Sequence, residues 1–175
     1  QYKEETNYNE EFAAMRADVE VLAKLAAKYG VKILFEIHMD NLLASPSSAR
    51  RMLEGLDPNC VGLIFDPGNM VNEGFENYKK SLDMLGDYVA HVHVKNGILA
   101  PDGEDELGAA KWKRQWTPLQ KGMADLKKFF TVLQASGYDG TVCIEDFSNE
   151  ESTYDKLKHN LEYIRKLREA TRPEA

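Results

Sequence analysis

Cysteine is scarce, with only Cys60 and Cys143 in 175 residues. Two thiols exclude the dense disulfide framework of small secreted domains. Each stands in a short β-branched run, so both are predicted to be small core residues on buried strands in a reducing compartment. Long apolar runs are missing too: no stretch approaches the roughly 20 residues needed to cross a bilayer, and no charged-then-apolar leader opens the chain. The expectation is a cytoplasmic protein with no membrane partner. Positive charge is in short supply, since 22 Lys and Arg against 29 Asp and Glu give a net charge of −7. An acidic surface repels phosphate backbones, which argues against a nucleic-acid partner. The basic runs Lys79-Lys80, 111–114 and Lys127-Lys128 are short and dispersed. A Gly-rich phosphate loop, a zinc-type cysteine spacing and a nucleophile elbow are all lacking, which removes support for kinase, zinc-module and serine-hydrolase chemistry.

What is present is alternation. Phe12, Met15, Val19, Leu22, Leu25 and Ala26 recur at helical spacing and predict a helix over Asn9–Gly30, capped by Asn9 and closed by Gly30. The apolar run Val31–Ile37 predicts a strand buried on both faces. Ser45-Pro46 supplies an N-cap and a first-turn proline for a helix carrying Ala49, Met52, Leu53 and Leu56. The unit then returns: a strand over Val61–Asp66, a helix with Phe75, Tyr78, Leu82 and Leu85, and a strand over Tyr88–Val94. A long connection, Asn96–Pro118, is read as a lid. Leu126, Phe129, Phe130 and Leu133 mark the next helix, and Thr141–Glu145 the fourth strand. A last helix starts near Ser148, whose S-x-x-E spacing to Glu151 fits a capping box, and carries Tyr154, Leu157, Leu161, Ile164 and Leu167.

Strands separated by single helices imply parallel neighbours with right-handed crossovers. Four such strands leave two open edges and an uncovered face. The predicted fold is therefore α/β, with parallel (β/α) units forming the second half, strands five to eight, of a TIM barrel. Residues 1–175 would be a single partial domain lacking the N-terminal half. A dimerising half-barrel, hence a homo-oligomer, and a small open sandwich are the alternatives.

In such a barrel the chemistry sits at the C-terminal ends of the strands. Each predicted strand ends in a metal-capable side chain: Glu36, Asp66, His93 and Glu145. Parity places Leu34 with Glu36, Ile64 with Asp66, His91 with His93 and Cys143 with Glu145, so one inward face accommodates all four. Three converging carboxylates repel one another and call for a cation. Three oxygens and one imidazole suit one divalent metal, Mn²⁺ or Mg²⁺ first, with Co²⁺ and Zn²⁺ as further candidates. Candidate substrate contacts are His38, which shares the parity of Glu36, Asn69, His91 below His93, Lys95, and Trp116 in the long connection.

The segments Phe35-Glu36-Ile37-His38, Gly62 through Asn69, His91-Val92-His93-Val94-Lys95 and Gly137 through Asp146 resemble the sugar phosphate isomerase/epimerase family with the xylose isomerase-like barrel. The likeness runs from about Leu22 to the last helix and matches the family's fifth to eighth strands. It implies that Glu36, Asp66, His93 and Glu145 bind one divalent metal, and that Glu36 and Glu145 flank the substrate as the acid/base pair. The implied activity is isomerisation or epimerisation of a small sugar, sugar phosphate or polyol through an enediolate. Three departures bear on substrate identity: Asn69 stands where histidine is usual, Lys95-Asn96 replaces lysine-aspartate, and Leu119-Gln120-Lys121-Gly122 replaces a Gly-Glu-Gly-like stretch. A dehydratase or other lyase on the same scaffold is the second enzyme reading, and a non-catalytic barrel fragment is the third. A phosphodiesterase resembling apurinic-site endonucleases is opposed by Asn69 and by the acidic balance.

Overall fold

The structure is a computed structural model that describes residues 2–3 and 5–172. Helix α1 runs over Tyr8–Tyr29, one residue earlier than its apolar spacing suggested. Its cap is Asn7 rather than Asn9, because the Asn7 side chain accepts from the N–H groups of Asn9 and Glu10. Gly30 closes the helix at φ 64°, a left-handed turn that glycine takes without a Cβ penalty. Strand β1 (Ile33–Glu36) follows, then α2 (Pro46–Leu53) with Ser45 and Ser48 capping each other, and strand β2 (Val61–Phe65).

The next helical stretch departs from expectation. It is two helices, α3 (Pro67–Asn72) and α4 (Tyr78–Leu85). Phe75 lies between them, 63% exposed rather than on a core stripe. Pro67 starts α3 at once, and Asn77 caps α4 afresh, so local capping outweighs a continuous period. A 3₁₀ turn (Gly86–Tyr88) then leads into strand β3 (Val89–Val94).

The long connection is a second departure. Strands β4 (Asn96–Glu104) and β5 (Ala110–Thr117) form an antiparallel ribbon. Helix α5 (Leu126–Ala135), strand β6 (Val142–Ile144) and helix α6 (Thr153–Ala170) complete the chain. Ser152, not Ser148, caps α6.

The main sheet is parallel in the order β1-β2-β3-β6. Its outer face packs Leu63, Phe65, Val92 and Val94 beneath the helices, each fully buried. Phe65 stacks on Phe129 at 5.4 Å between ring centres. The inner face is different: Leu34, Ile64, His91 and His93 are half-buried and Cys143 is exposed. Strand β1 is half-buried throughout, not covered on both faces. Neither cysteine is a core residue, since Cys60 sits in the turn before β2 and Cys143 on that open face. Nor are Tyr154, Leu157 and Leu161 of α6, all exposed; only Ile164 and Leu167 of that stripe are buried.

One irregularity sets which way β3 points. Leu63 pairs with Val89, yet Ile64 pairs with His91, so Ala90 is an extra residue. Such a bulge resets the two-residue alternation. Val89, Val92 and Val94 can therefore all pack outward, while His91 shares the inward face of Ile64. No helix among the described residues is long and apolar enough to cross a membrane.

Candidate metal centre

Four strand ends deliver the candidate donors. Glu36 is the last residue of β1, and Asp66 follows β2 directly. His93 lies near the end of β3, and Glu145 follows β6, its N–H bonded to the Val94 carbonyl at 2.9 Å. One donor atom from each of Glu36, Asp66, His93 and Glu145 lies within 4.8 Å of the other three. His93 Nδ1 is 3.3 Å from Glu36 Oε1 and 3.3 Å from Glu145 Oε1.

Asp66 does two jobs with two oxygens. Its Oδ1 accepts from the N–H groups of Gly68 at 2.8 Å and Asn69 at 3.2 Å, capping α3. Its Oδ2 is buried with no hydrogen bond. Lys95 Nζ approaches that oxygen to 3.1 Å as an ion pair, without hydrogen-bond alignment. The oxygen thus faces a positive charge, which a metal ion at the same place would share or replace. Burial pushes the Asp66 carboxyl above its usual range, and Lys95 and the two backbone N–H groups only partly offset it.

Lys95 is the feature the sequence undersold. Its side chain is 4% exposed, not a solvated charge. It donates to Glu145 Oε2 at 2.7 Å and lies 3.6 Å from Glu36 Oε1. Burial works to lower its pKa, but Asp66 and Glu145 outweigh that and hold it above the ordinary lysine value. It stays an ammonium. Three carboxylates against this one ammonium leave two negative charges uncompensated, and one divalent cation would balance them. Three oxygens and an imidazole fit such an ion.

Gly68 makes this crowding possible. A Cβ there would sit 2.4 Å from the Lys95 carbonyl oxygen, so only glycine lets α3 approach the end of β3 so closely.

The remaining candidates divide. Asn69 is buried at 1% exposure, and its amide nitrogen donates to Glu36 Oε1 at 3.0 Å and to the Ile37 carbonyl at 3.1 Å. It holds Glu36 in place. His38 turns its Nδ1 to the Met39 carbonyl at 2.7 Å, and lines a cleft of about 680 Å³ together with Glu36. His91 lies edge-on to His93 at 5.2 Å, on the inner face of the sheet. Trp116, at the base of the ribbon, stands 5.7 Å from Lys95 Nζ and 5.8 Å from the Phe147 ring. Phe147 lies 5.3 Å from Lys95 Nζ and is half exposed. It escaped the sequence reading; an aromatic two residues past a strand-end glutamate was the available signal. The two rings and the ammonium form one wall beside the carboxylates.

Asn96 explains one departure from the familiar lysine-aspartate pair. Its amide donates to the carbonyls of Leu119 and Ala124, and its Oδ1 accepts from the N–H groups of Gly97 and Ala124. A carboxylate could accept but not donate there. Gly122 is fixed by the same knot, since a Cβ would meet Asn96 Oδ1 at 2.0 Å. At the ribbon's other side, Arg114 grips the Asp40 carboxylate and holds it below the usual range.

Parallel β/α units with a polyvalent donor set at the carboxyl ends of their strands define a (β/α)-barrel type of protein whose site suits a cation. The chain belongs to the xylose isomerase-like TIM barrel family, whose pattern matches residues 1–167. Among curated relatives, an inosose dehydratase of Lacticaseibacillus casei is 26% identical over 144 residues, covering 78% of this chain and 47% of its own length. The chain thus spans about half the length of that relative. Among solved structures, a 3-keto-D-glucoside 4-epimerase from E. coli superposes with a TM-score of 0.71 at 21% identity, over 94% of this chain and 57% of the other. A xylose isomerase-like TIM barrel protein from Mycobacterium smegmatis, in complex with magnesium, gives 0.67 at 23% identity, over 90% and 52%. At these identities the superpositions show the shared fold.

Proposed function

We propose that this chain carries strands five to eight of a barrel enzyme that removes the proton beside a carbonyl of a small sugar, sugar phosphate or polyol. Glu36, Asp66, His93 and Glu145 would hold one divalent ion, Mn²⁺ or Mg²⁺. The carrying observation is their convergence within 4.8 Å, with the Asp66 carboxylate fully buried among them. The half-barrel part rests on the open edges of β1 and β6 and on the half-exposed inner face between them. Residues 1–175 then form one partial domain.

When bound, the ion would polarise the substrate carbonyl and stabilise the enediolate. Glu36 and Glu145 come from opposite edges of the sheet, so one can take the proton from one side of the carbon and the other return it from the opposite side. Asn69 orients Glu36, and Lys95 orients Glu145 and spreads its positive charge over the site. Trp116 and Phe147 offer flat apolar surface to the C–H face of a sugar, and His38 a hydrogen bond from the cleft it shares with Glu36. This is epimerisation or isomerisation.

A second reading is dehydration. It is favoured by a relative named inosose dehydratase and by Lys95, an ammonium that could donate a proton to a departing hydroxyl. Both readings share the first proton abstraction. In D₂O with Mn²⁺ and a keto-sugar or keto-cyclitol, we expect the intact enzyme to release the hydrogen beside the carbonyl to solvent, with deuterium taken up there in an epimer, and both effects lost in Glu36→Gln and in Glu145→Gln. An epimer as product supports the first reading and an unsaturated product the second. Deuterium uptake that survives both substitutions would refute the acid/base assignment.

A further inference from the structure

Just below the carboxylate cluster lies a donor set of different character. His91, His93 and Cys143 each present one ligand atom within 4.8 Å of the others. His93 and Cys143 are register partners on adjacent parallel strands, and His91 precedes His93 by two residues on the same face. The three therefore sit on rigid sheet, where backbone position is fixed and only side-chain torsions need adjust. Around a tetrahedral ion with sulfur at about 2.3 Å and nitrogen at about 2.0 Å, the donor atoms stand about 3.5 Å apart. Small χ rotations close the remaining gap.

We propose that this set is a second metal site, selective for a thiophilic ion such as Zn²⁺, and that it competes with the carboxylate cluster for His93. The chemistry follows from the donors. One thiolate and two imidazoles prefer Zn²⁺, Co²⁺ or Cd²⁺ over Mn²⁺ and Mg²⁺, which the oxygen-rich cluster prefers. On binding, the Cys143 thiol gives its proton to solvent and its sulfur bonds the ion, with no change of oxidation state. Cys143 is exposed and its thiol makes a long 4.0 Å contact to the Ile144 carbonyl that metal binding would replace; among the described residues neither ring nitrogen of His91 is engaged in a hydrogen bond. Water would complete the fourth position. His93 belongs to both sets. A soft ion in the lower set withdraws imidazole from the upper one, which makes the face a sensor of which metal is loaded rather than a second copy of the same centre.

The proposal does not depend on the reaction suggested above, only on the geometry of the inner face. Its test is spectroscopic. The full chain, stripped of metal, is titrated with Co²⁺, and the thiolate-to-cobalt charge-transfer absorption is read. The band is expected in the unaltered protein and in Cys60→Ser, absent in Cys143→Ser, and weakened roughly ten-fold or more in affinity in His91→Ala. Asp66→Asn should leave the band intact, which separates this site from the carboxylate cluster. Mn²⁺ binding, followed by its paramagnetic effect on water relaxation, should persist in Cys143→Ser, and less Zn²⁺ should be needed to weaken it in the unaltered protein than in Cys143→Ser. A band that survives in Cys143→Ser, that never forms, or that is indifferent to His91→Ala would overturn the proposal. Mn²⁺ binding lost while the band remains would sink the carboxylate reading and leave this one standing.

Discussion

On the outer face of the sheet Leu63, Phe65, Val92 and Val94 are fully buried, whereas on the inner face Leu34, Ile64, His91 and His93 keep part of their surface in solvent and Cys143 is exposed. Both faces belong to the same four strands, so strand propensity cannot account for the difference. What differs is the partner. Outward, α4 and α5 bring Tyr78, Leu82, Phe129 and Phe130 against the sheet. Inward, the side chains of Leu34, Ile64, His91 and His93 stay partly open. The outer face therefore carries the stability that burial provides, and the inner face is free to hold groups that a packed core would neutralise.

The sharpest way to break that contrast is a pair of truncations. Phe129 is fully buried, stacked on Phe65 and edge-on to Tyr78 at 5.3 Å. Phe129→Ala should cost about 4 kcal/mol, read as a lowered denaturant midpoint at unchanged slope. Ile64, its half-buried counterpart on the inner face, should cost about 1 kcal/mol when cut to alanine, because much less apolar surface is at stake. Equal costs would show that the inner face is covered in solution, as a completed barrel would cover it.

Lys95 gives the next largest effect and the sharpest view of the inner face's electrostatics. In Lys95→Met the side-chain length is kept and the charge removed, leaving Asp66 and Glu145 without their ammonium. Breaking a buried pair from one side costs about 3 kcal/mol, so the metal-free variant should unfold well before the unaltered chain. Added Mn²⁺ should recover more stability in the variant than in the parent, since only the ion can then balance the carboxylates. An unchanged midpoint without metal would mean that these carboxylates do not rely on Lys95.

Much of this was legible in the sequence and some was not, for identifiable reasons. The order of β/α units, the Ser45-Pro46 start of α2 and the parity linking Leu34 to Glu36 all follow from local rules. The bulge at Ala90 does not, because a one-residue slip leaves no mark in a run of alternating valine and histidine. Yet without it His91 and His93 would face the helices. Lys95 read as a candidate substrate contact; its burial against the carboxylates was not legible, since it depends on Gly68 giving way and on three carboxylates remote in sequence. The ribbon Asn96–Thr117 read as a lid because its strands are polar outside and its Asp102-Gly103 hairpin signal falls inside β4, not at the turn over 105–109; the register is supported by Asn96 knotting the base and Arg114 binding Asp40. The stripe Tyr154, Leu157 and Leu161 was readable as apolar, but spacing alone cannot say what a stripe faces.

The smallest expected effect belongs to the helix layer, and it sharpens the comparison by showing how little one polar contact on that side contributes. Glu76 accepts from the Ser47 N–H and hydroxyl, both at 2.9 Å, with Lys80 Nζ at 3.3 Å. Ser47 is in the first turn of α2, so the carboxylate also meets the positive end of that helix. Burial alone would raise the Glu76 pKa, but the Ser47 hydrogen bonds and Lys80 outweigh it and hold the group below its ordinary value. A carboxylate depressed in the folded state stabilises fully above its unfolded pKa, near 4.3 for glutamate, and that contribution disappears as the pH falls through the folded value. Glu76→Gln removes the titration while keeping the shape. The parent and variant should differ by about 1 kcal/mol at neutral pH and converge on acidification below the glutamate range. A difference that stays constant down to that range would mean that the contact is geometric rather than electrostatic, and the charge at the start of α2 would then contribute nothing to holding the outer layer.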